Sequence, residues 1–154
     1  MNPTGYNAAR TYASVGLESE VQGADPHGLI LLLYRGAIAA LVKARGHMQR
    51  NEFAEKGAAI SNAVAIINDG LRASLDLNQG GEIAANLDAL YEYMAQQLLV
   101  ANIKNQPELI DEIGRLLADL KGAWETIGKT GRPAEQQTDQ QPQAQRAAIS
   151  YGKV

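Results

Sequence analysis

Two histidines carry the side chains best suited to chemistry in this sequence. His27 lies in the first turn of the first predicted helix, and His47 lies near the end of the same helix. No pairing of a nucleophile with a base can be argued from the spacing of either residue. His47 projects away from the apolar stripe of its helix, so we predict an exposed imidazole, which suits a helix C-terminus.

A histidine phosphotransfer domain is the alternative that His47 leaves open. Such domains are also acidic four-helix bundles that present one exposed histidine. However, His47 lies at a helix end within KARGHMQRN, whereas those domains use a mid-helix setting similar to HxxKG. A His47→Gln protein that keeps its full function would exclude this alternative.

Acidic residues on the third predicted helix could be considered as metal ligands. A di-metal bundle site needs a Glu-x-x-His pair on each of two facing helices, and the sequence contains no such pair. Glu82, Asp88 and Glu92 are therefore interpreted as a solvated helix face. The neighbouring QGGE stretch lacks the further glycines and the Lys-Ser/Thr of a phosphate-binding loop, so it predicts a turn. We expect no metal, no cofactor and no enzymatic activity.

The composition predicts a soluble cytoplasmic domain. The 154 residues suffice for one domain with a core but not for two. A net charge of −3 and a pI near 5.4 exclude a general nucleic-acid binder, which needs a basic face. The chain has no cysteine for a disulfide or a thiolate metal site. No signal peptide is recognisable, and no segment approaches the roughly 18 uncharged apolar residues of a membrane span.

Four helical segments must position these residues. The first is predicted to start at Asp25-Pro26, because the carboxylate can cap the helix and proline at its first position loses no hydrogen bond. The predicted segments are, in order, a helix to about Gln49, one capped by Asn51, one from Gly81 and one from Pro107 to about Gly128. Each carries apolar residues three, four and seven apart, and in the second helix these are Phe53, Ile60, Val64, Ile67, Leu71 and Leu75.

The predicted fold is all-α, an antiparallel up-and-down four-helix bundle. The connections span only a few residues, so neighbouring helices must run antiparallel, and no strand pattern competes. The bundle is assigned to residues 25–129. Residues 1–24 are assigned to an N-terminal segment with a short extra helix over 6–20. Residues 130–154 form a Gln-rich tail with too few apolar residues to offset the entropy of ordering, which predicts a disordered tail.

The run LILLLY, from Leu29 to Tyr34, places six apolar residues in succession. Successive residues are about 100° apart on a helix, so the run points in all directions. If Ile30, Tyr34 and Leu41 form the buried stripe, several apolar residues project outside it, namely Leu29, Leu31, Leu32 and Val42. Two interpretations stay open and are compatible: residues 6–20 cover this surface, or it forms a hydrophobic groove for a partner helix.

Four stretches of the sequence resemble one known family. SLDLNQGGEIAANLDALYEYM, residues 74–94, resembles the signature of the flagellar secretion chaperones, the FliS-type flagellin chaperones. TYASVGLESEV and DPHGLILLLYRGAIAAL resemble the family's N-terminal tyrosine segment and first bundle helix, although Arg35 replaces an acidic residue. LLVANIKNQPELIDEIGRLLADLKGAWETI is similar to its last two helices. The likeness spans about residues 6–128, and the Gln-rich tail departs from the family pattern.

The resemblance implies a cytosolic export chaperone that binds the C-terminal segment of flagellin. Binding would prevent premature polymerisation and deliver flagellin to the type III export apparatus. The export-gate membrane protein and a flagellar anti-sigma factor are further partners that the resemblance implies. No nucleic acid and no direct membrane insertion are expected, and the chain is expected to be a monomer or a weak homodimer.

Candidate partner-binding residues come from two sources. The resemblance implies Tyr6, Tyr12 and Val15 in the N-terminal segment, which could otherwise simply cap the core. Helix geometry indicates the groove residues already named, from Leu29 to Val42. Asn86 and Tyr93 share a flank of the third helix and could contact a bound chain, although an ordinary helix–helix hydrogen bond would also explain them and is the preferred interpretation.

Overall fold

Residues 25–130 are described by the computed structural model, and all of their regular structure is helical. Four helices follow one another in this range: α1 (Pro26–Gln49), α2 (Phe53–Ala65), α3 (Gly81–Lys104) and α4 (Pro107–Thr130). α2 continues into a π-helical segment, Ile66–Leu71, and a 3₁₀ turn, Arg72–Ser74. Within residues 25–130 there is no β-strand, which confirms the all-helical prediction for that range.

Local sequence signals set two of the four helix starts among residues 25–130. The Asp25 carboxylate accepts a hydrogen bond from the Gly28 backbone N–H at 2.7 Å, and Pro26 is the first helical residue, as predicted. Pro107 likewise begins α4. The predicted cap at Asn51 is wrong. Asn51 adopts a left-handed backbone with φ of 59°, a conformation that asparagine tolerates, and the cap position falls to Glu52.

The helices enclose one apolar core through a ring of pairwise contacts. α1 contacts α2 and α4, and α3 contacts α2 and α4. Side chains from every helix are fully buried in this core, the largest being Leu33, Ile60, Ile66, Ile67, Leu71, Met94, Leu98, Ile110, Ile113 and Leu117. The ring gives α1 neighbours on two sides, and this arrangement decides which of its leucines are buried.

Gly70, in the π-helical segment after α2, allows a close approach to α1. A Cβ atom on Gly70 would lie only 2.6 Å from Cδ2 of Leu33. Because Leu33 is itself fully buried, it has little room to yield. The absent side chain therefore lets the end of α2 pack tightly on the first helix.

Phe53 does not belong to the core, and its predicted place in the α2 stripe is wrong. It is 54% exposed because it is the first residue of α2, and the buried position one turn later is taken by Lys56. The Lys56 ammonium lies 5.2 Å from the centre of the Phe53 ring. That ammonium also donates hydrogen bonds to the Asn102 carbonyl oxygen at 2.8 Å and to the Asn105 side-chain oxygen at 2.6 Å. Lys56 thus links α2 to the C-terminus of α3.

We expect Lys56→Met to lower the free energy of unfolding by about 1–3 kcal/mol, because two oxygen acceptors lose their buried donor. Urea denaturation followed by circular dichroism measures this change. Lys43→Met, at an exposed position of α1, is the matched control and should change stability by less than about 0.5 kcal/mol. Equal effects of the two substitutions would contradict a structural role for Lys56.

The start of α1 and the end of α4 are joined by the two aromatic rings of His27 and Trp124. The rings stack with their centres 5.0 Å apart. His27 Nε2 donates to the Trp124 carbonyl oxygen at 2.7 Å, and Trp124 Nε1 donates to the His27 carbonyl oxygen at 3.1 Å. His27 therefore has a packing role at the end of the bundle.

α1 is long and apolar enough to cross a membrane by length and composition alone. In the 18-residue apolar window of this helix, 44% is buried inside the fold. A core helix of a globular domain passes the same test.

Two predictions lie outside the described residues. They are the short extra helix in the N-terminal segment 1–24 and the disorder of the tail beyond residue 130.

Candidate partner-binding groove

The LILLLY run is divided between the core and a flank of α1. Leu32, Leu33 and Tyr34 are all buried, whereas Leu29 and Leu31 are half-buried. The predicted outward projection of Leu32 is wrong, since only 3% of it is exposed and it joins the core. The physical reason is that α1 packs against two helices, so its buried face covers more than the single stripe assumed for one neighbour.

An apolar groove runs between α1 and α4 and encloses about 320 Å³. Its α1 side is formed by Ile38, Leu41, Val42 and Arg45, and its α4 side by Ile110, Asp111, Gly114, Arg115 and Ala118. Val42 was predicted as a groove residue and lies here with 67% of its surface exposed. The structure thus places one predicted residue in a groove whose other wall, on α4, was not predicted.

Small residues on α4 create the space. Gly114 and Ala118 are four residues apart and therefore lie on the same face of the helix. A Cβ atom on Gly114 would meet nothing within 4 Å, which shows that this position opens into free space. The spacing of these two small residues was the sequence signal for the second wall, but it becomes informative only when α1 is known to lie opposite.

Leu31 lies on the groove flank of α1 without lining the groove. It precedes Ile38 by seven residues and Val42 by eleven, spacings that keep all three on one side of a helix. Leu29 shares no such spacing and packs, half-buried, beside the core. Leu31 therefore extends the apolar surface towards the start of α1, and Leu29 does not.

An ion pair joins the two walls of the groove. Arg45 donates from Nε to Asp111 Oδ1 at 2.6 Å and from Nη2 to Oδ2 at 2.9 Å. These hydrogen bonds lower the pKa of the Asp111 carboxyl below its usual range and raise the pKa of Arg45. Both side chains are about one-third exposed, so the pair orients α1 against α4 more than it stabilises the fold.

The flank of α3 that carries Asn86 and Tyr93 makes a helix–helix contact. The Tyr93 hydroxyl donates to Glu112 Oε2 of α4 at 2.7 Å, and this hydrogen bond raises the pKa of the tyrosine. Tyr93 nevertheless stays 40% exposed, and Asn86 is half-buried. The hydrogen bond is the ordinary interhelical contact considered for these residues, and it leaves part of the Tyr93 ring exposed.

His47 is held in a small polar cluster at the end of α1. Its Nδ1 donates to Glu52 Oε1 at 2.7 Å, and the same carboxylate oxygen accepts from Arg50 Nε at 3.0 Å. The His47 side chain is only 27% exposed, so it is less open than predicted. These bonds lower the pKa of Glu52. The cluster ties the α1–α2 connection together.

Chemistry-bearing groups are otherwise dispersed. No cluster of three or more potential metal ligands occurs in the part of the chain that the structure describes. Of the acidic residues on α3, Asp88 and Glu92 contact Arg72, with distances of 2.6 Å and 3.4 Å. Tyr6, Tyr12 and Val15 lie outside the described residues.

Comparisons with known proteins agree on one family. The family model described as "Flagellar protein FliS" matches residues 8–131. A flagellar secretion chaperone FliS from Salmonella typhimurium is 46% identical over 118 residues, which cover 77% of this chain and 87% of the relative. The flagellar secretion chaperone FliSB of Pseudomonas aeruginosa is 46% identical over 120 residues, which cover 78% of this chain and 94% of that relative. The flagellar secretion chaperone FliS of Bacillus subtilis is 29% identical over 107 residues, which cover 70% of this chain and 78% of that relative. The chain therefore belongs to the FliS family of flagellar secretion chaperones.

Proposed function

We propose that this chain binds the C-terminal helical segment of flagellin and that the groove between α1 and α4 receives part of that segment. The observation that carries the proposal is an open apolar groove in a member of a flagellar secretion chaperone family. Binding would keep flagellin from polymerising early and would deliver it to the flagellar type III export apparatus. The protein would act in the cytoplasm, by binding and not by catalysis.

The groove lining covers about two turns of each flanking helix, enough to contact a few side chains of an amphipathic partner helix. α1 and α4 have 24 residues each, so each is about 36 Å long at roughly 1.5 Å per residue. Each apolar side chain that a partner buries contributes about 1.5–3 kcal/mol. A disordered partner loses about 2–5 kcal/mol or more on ordering, so a few buried side chains are enough for stable binding.

The wider architecture supports the same proposal. Short connections and the ring of helix contacts support an antiparallel up-and-down bundle, which would present the groove on a rigid scaffold. Half-buried Leu31 would extend the contact along α1, and the exposed part of Tyr93 could add a polar contact. The N-terminal residues Tyr6, Tyr12 and Val15 would contribute to contacts with flagellin. The export-gate protein and an anti-sigma factor are weaker candidates as partners.

Gly114→Leu tests the groove directly. The substitution fills the space between α1 and α4 without disturbing the core, because nothing lies within 4 Å of the position. We expect a loss of affinity of about 10- to 100-fold for the flagellin C-terminal segment, as one partner side chain of about 1.5–3 kcal/mol is excluded. Calorimetric titration with the segment from the same organism's flagellin measures this loss. Stability should not fall, since leucine favours a helix over glycine.

Gly122→Leu is the matched control on the same helix. A Cβ atom on Gly122 would also meet nothing within 4 Å, and Gly122 does not line the groove. Its variant should bind like the wild type. Normal binding by Gly114→Leu would move the site away from this groove, and no binding by the wild type would overturn the proposed function.

A further inference from the structure

We propose that the groove recognises a carboxylate beside the apolar stripe of its bound helix and that Arg115 binds this carboxylate. The inference rests on the proposed function, since the bound helix is taken to be the flagellin segment. It adds a specificity determinant to a surface that would otherwise accept any apolar helix.

The charges along the groove are not balanced. Its charged lining residues are Arg45, Asp111 and Arg115, so two cations and one anion leave one positive charge. The chain as a whole carries a net charge of −3. The groove is therefore locally basic on an acidic protein, which favours an acidic ligand by charge complementarity.

Arg115 is the groove cation that is not committed to an internal contact among the described residues. Arg45 is committed to Asp111 through two hydrogen bonds. Arg115 is exposed, and within residues 25–130 its side chain has neither an ion pair nor a hydrogen bond. Its charge acts on Asp111 from nearby, but that carboxylate already has its partner. Among the described residues, no acceptor occupies the guanidinium donors of Arg115.

The surroundings of Arg115 would strengthen a contact with a bound carboxylate. Ile38, Val42 and Ala118 give the groove apolar walls. A helix seated on these walls would displace water, and an ion pair is stronger where the local dielectric constant is lower. A guanidinium can also grip a carboxylate through two parallel hydrogen bonds. Apolar contacts would thus supply affinity, and Arg115 would set the register and the choice of partner.

Calorimetric titration of the full-length chain with the flagellin C-terminal segment, at low and at high salt, tests the inference. We expect Arg115→Gln to weaken binding about tenfold, as for a lost charged hydrogen bond, and to reduce the salt dependence. The control is Lys43→Gln, which removes the same charge from an exposed position of α1 that does not line the groove. This control should bind like the wild type.

A charge-reversal series identifies the carboxylate. Arg115→Glu should bind the unmodified segment more weakly than Arg115→Gln does. Changing the Asp and Glu residues of the segment to Lys, one at a time, should restore binding to Arg115→Glu at one position only. Restoration at one position supports the inference, and restoration at none overturns it.

The outcomes separate this inference from the proposed function. Unchanged binding by Arg115→Gln, together with lost binding by Gly114→Leu, would overturn the role of Arg115 and leave the groove in place. Equal weakening by Arg115→Gln and Lys43→Gln would also overturn it, as that would be an effect of overall charge. If the wild type does not bind the segment, the proposed function fails and this inference fails with it.

Discussion

Alkaline pH is expected to destabilise the folded chain steeply above about pH 10, because two buried tyrosines must remain protonated in the fold. Tyr34 and Tyr91 are 4% and 2% exposed, and their hydroxyl oxygens lie 2.7 Å apart. Burial is the main cause that raises the pKa of both hydroxyls above the ordinary value of 10.0. The unfolded chain would release these protons near pH 10 while the folded chain keeps them.

The sign of the effect follows from this proton difference. Above pH 10 the unfolded state binds fewer protons than the folded state, so the free energy of unfolding falls as the pH rises. Each tyrosine contributes a loss of about 1.4 kcal/mol per pH unit until its folded-state pKa is reached. Urea denaturation at pH 9, 10 and 11 measures this slope, on the order of 3 kcal/mol per pH unit for both groups.

The Tyr34→Phe/Tyr91→Phe double variant should lose most of the alkaline slope. Tyr93→Phe is the control, since Tyr93 is 40% exposed and its removal should leave most of the slope intact. At neutral pH, Tyr34→Phe or Tyr91→Phe alone is expected to lower the free energy of unfolding by about 1–3 kcal/mol, because the remaining buried hydroxyl loses its hydrogen-bond partner. The double variant should cost less than the sum. Additive costs would contradict a mutual hydrogen bond between the two tyrosines.

Leu33→Ala is expected to lower the free energy of unfolding by about 2–5 kcal/mol, the usual cost of a cavity in a packed core. Leu33 is only 2% exposed and its Cδ atoms fill the space above Gly70. Gly70→Ala should also destabilise, by about 1–3 kcal/mol, because its Cβ would collide with Leu33. Both effects are measured by urea denaturation at neutral pH.

The combination of these two substitutions gives the decisive result. In Leu33→Ala/Gly70→Ala the new methyl group occupies part of the new cavity, so the double variant should be more stable than the sum of the two costs predicts. Gly122→Ala is the control for helix propensity, as its Cβ would meet nothing within 4 Å, and it should stabilise by about 0.5–1 kcal/mol. Strict additivity of the first pair would contradict the close packing of the π-helical segment on α1.

The groove depends on two features that lie on different helices. Val42 and Ile38 form one wall because α1 turns their flank towards α4, and Gly114 and Ala118 leave the facing wall recessed. The Arg45–Asp111 pair joins the walls with hydrogen bonds of 2.6 Å and 2.9 Å. A change in the angle between α1 and α4 would alter the groove without altering either helix, so the proposed binding would depend on how these two helices pack.

The family and the secondary structure could be predicted from the sequence because both depend on residues that are close together in the chain. Asp25-Pro26 and Pro107 begin helices through local backbone hydrogen bonding, which needs no information about distant residues. The GGEIA block and its neighbours carry the resemblance, and the family match over residues 8–131 confirms it. Asn51 failed as a cap because the adjacent turn required a left-handed residue there.

Burial around α1 and the groove between α1 and α4 were decided by the tertiary structure alone. A single helical stripe predicts one buried face, but α1 packs along both α2 and α4, so Leu32 is buried and Val42 is left on the groove. Three residues of α4 form a groove wall only because α1 lies opposite them, namely Gly114, Arg115 and Ala118. The facing residues of α1 are some 70 positions away in the sequence. The sequence by itself determined the helices, since their hydrogen bonds are local. The groove depends on which face of α1 meets which face of α4, and packing between these distant segments decides that.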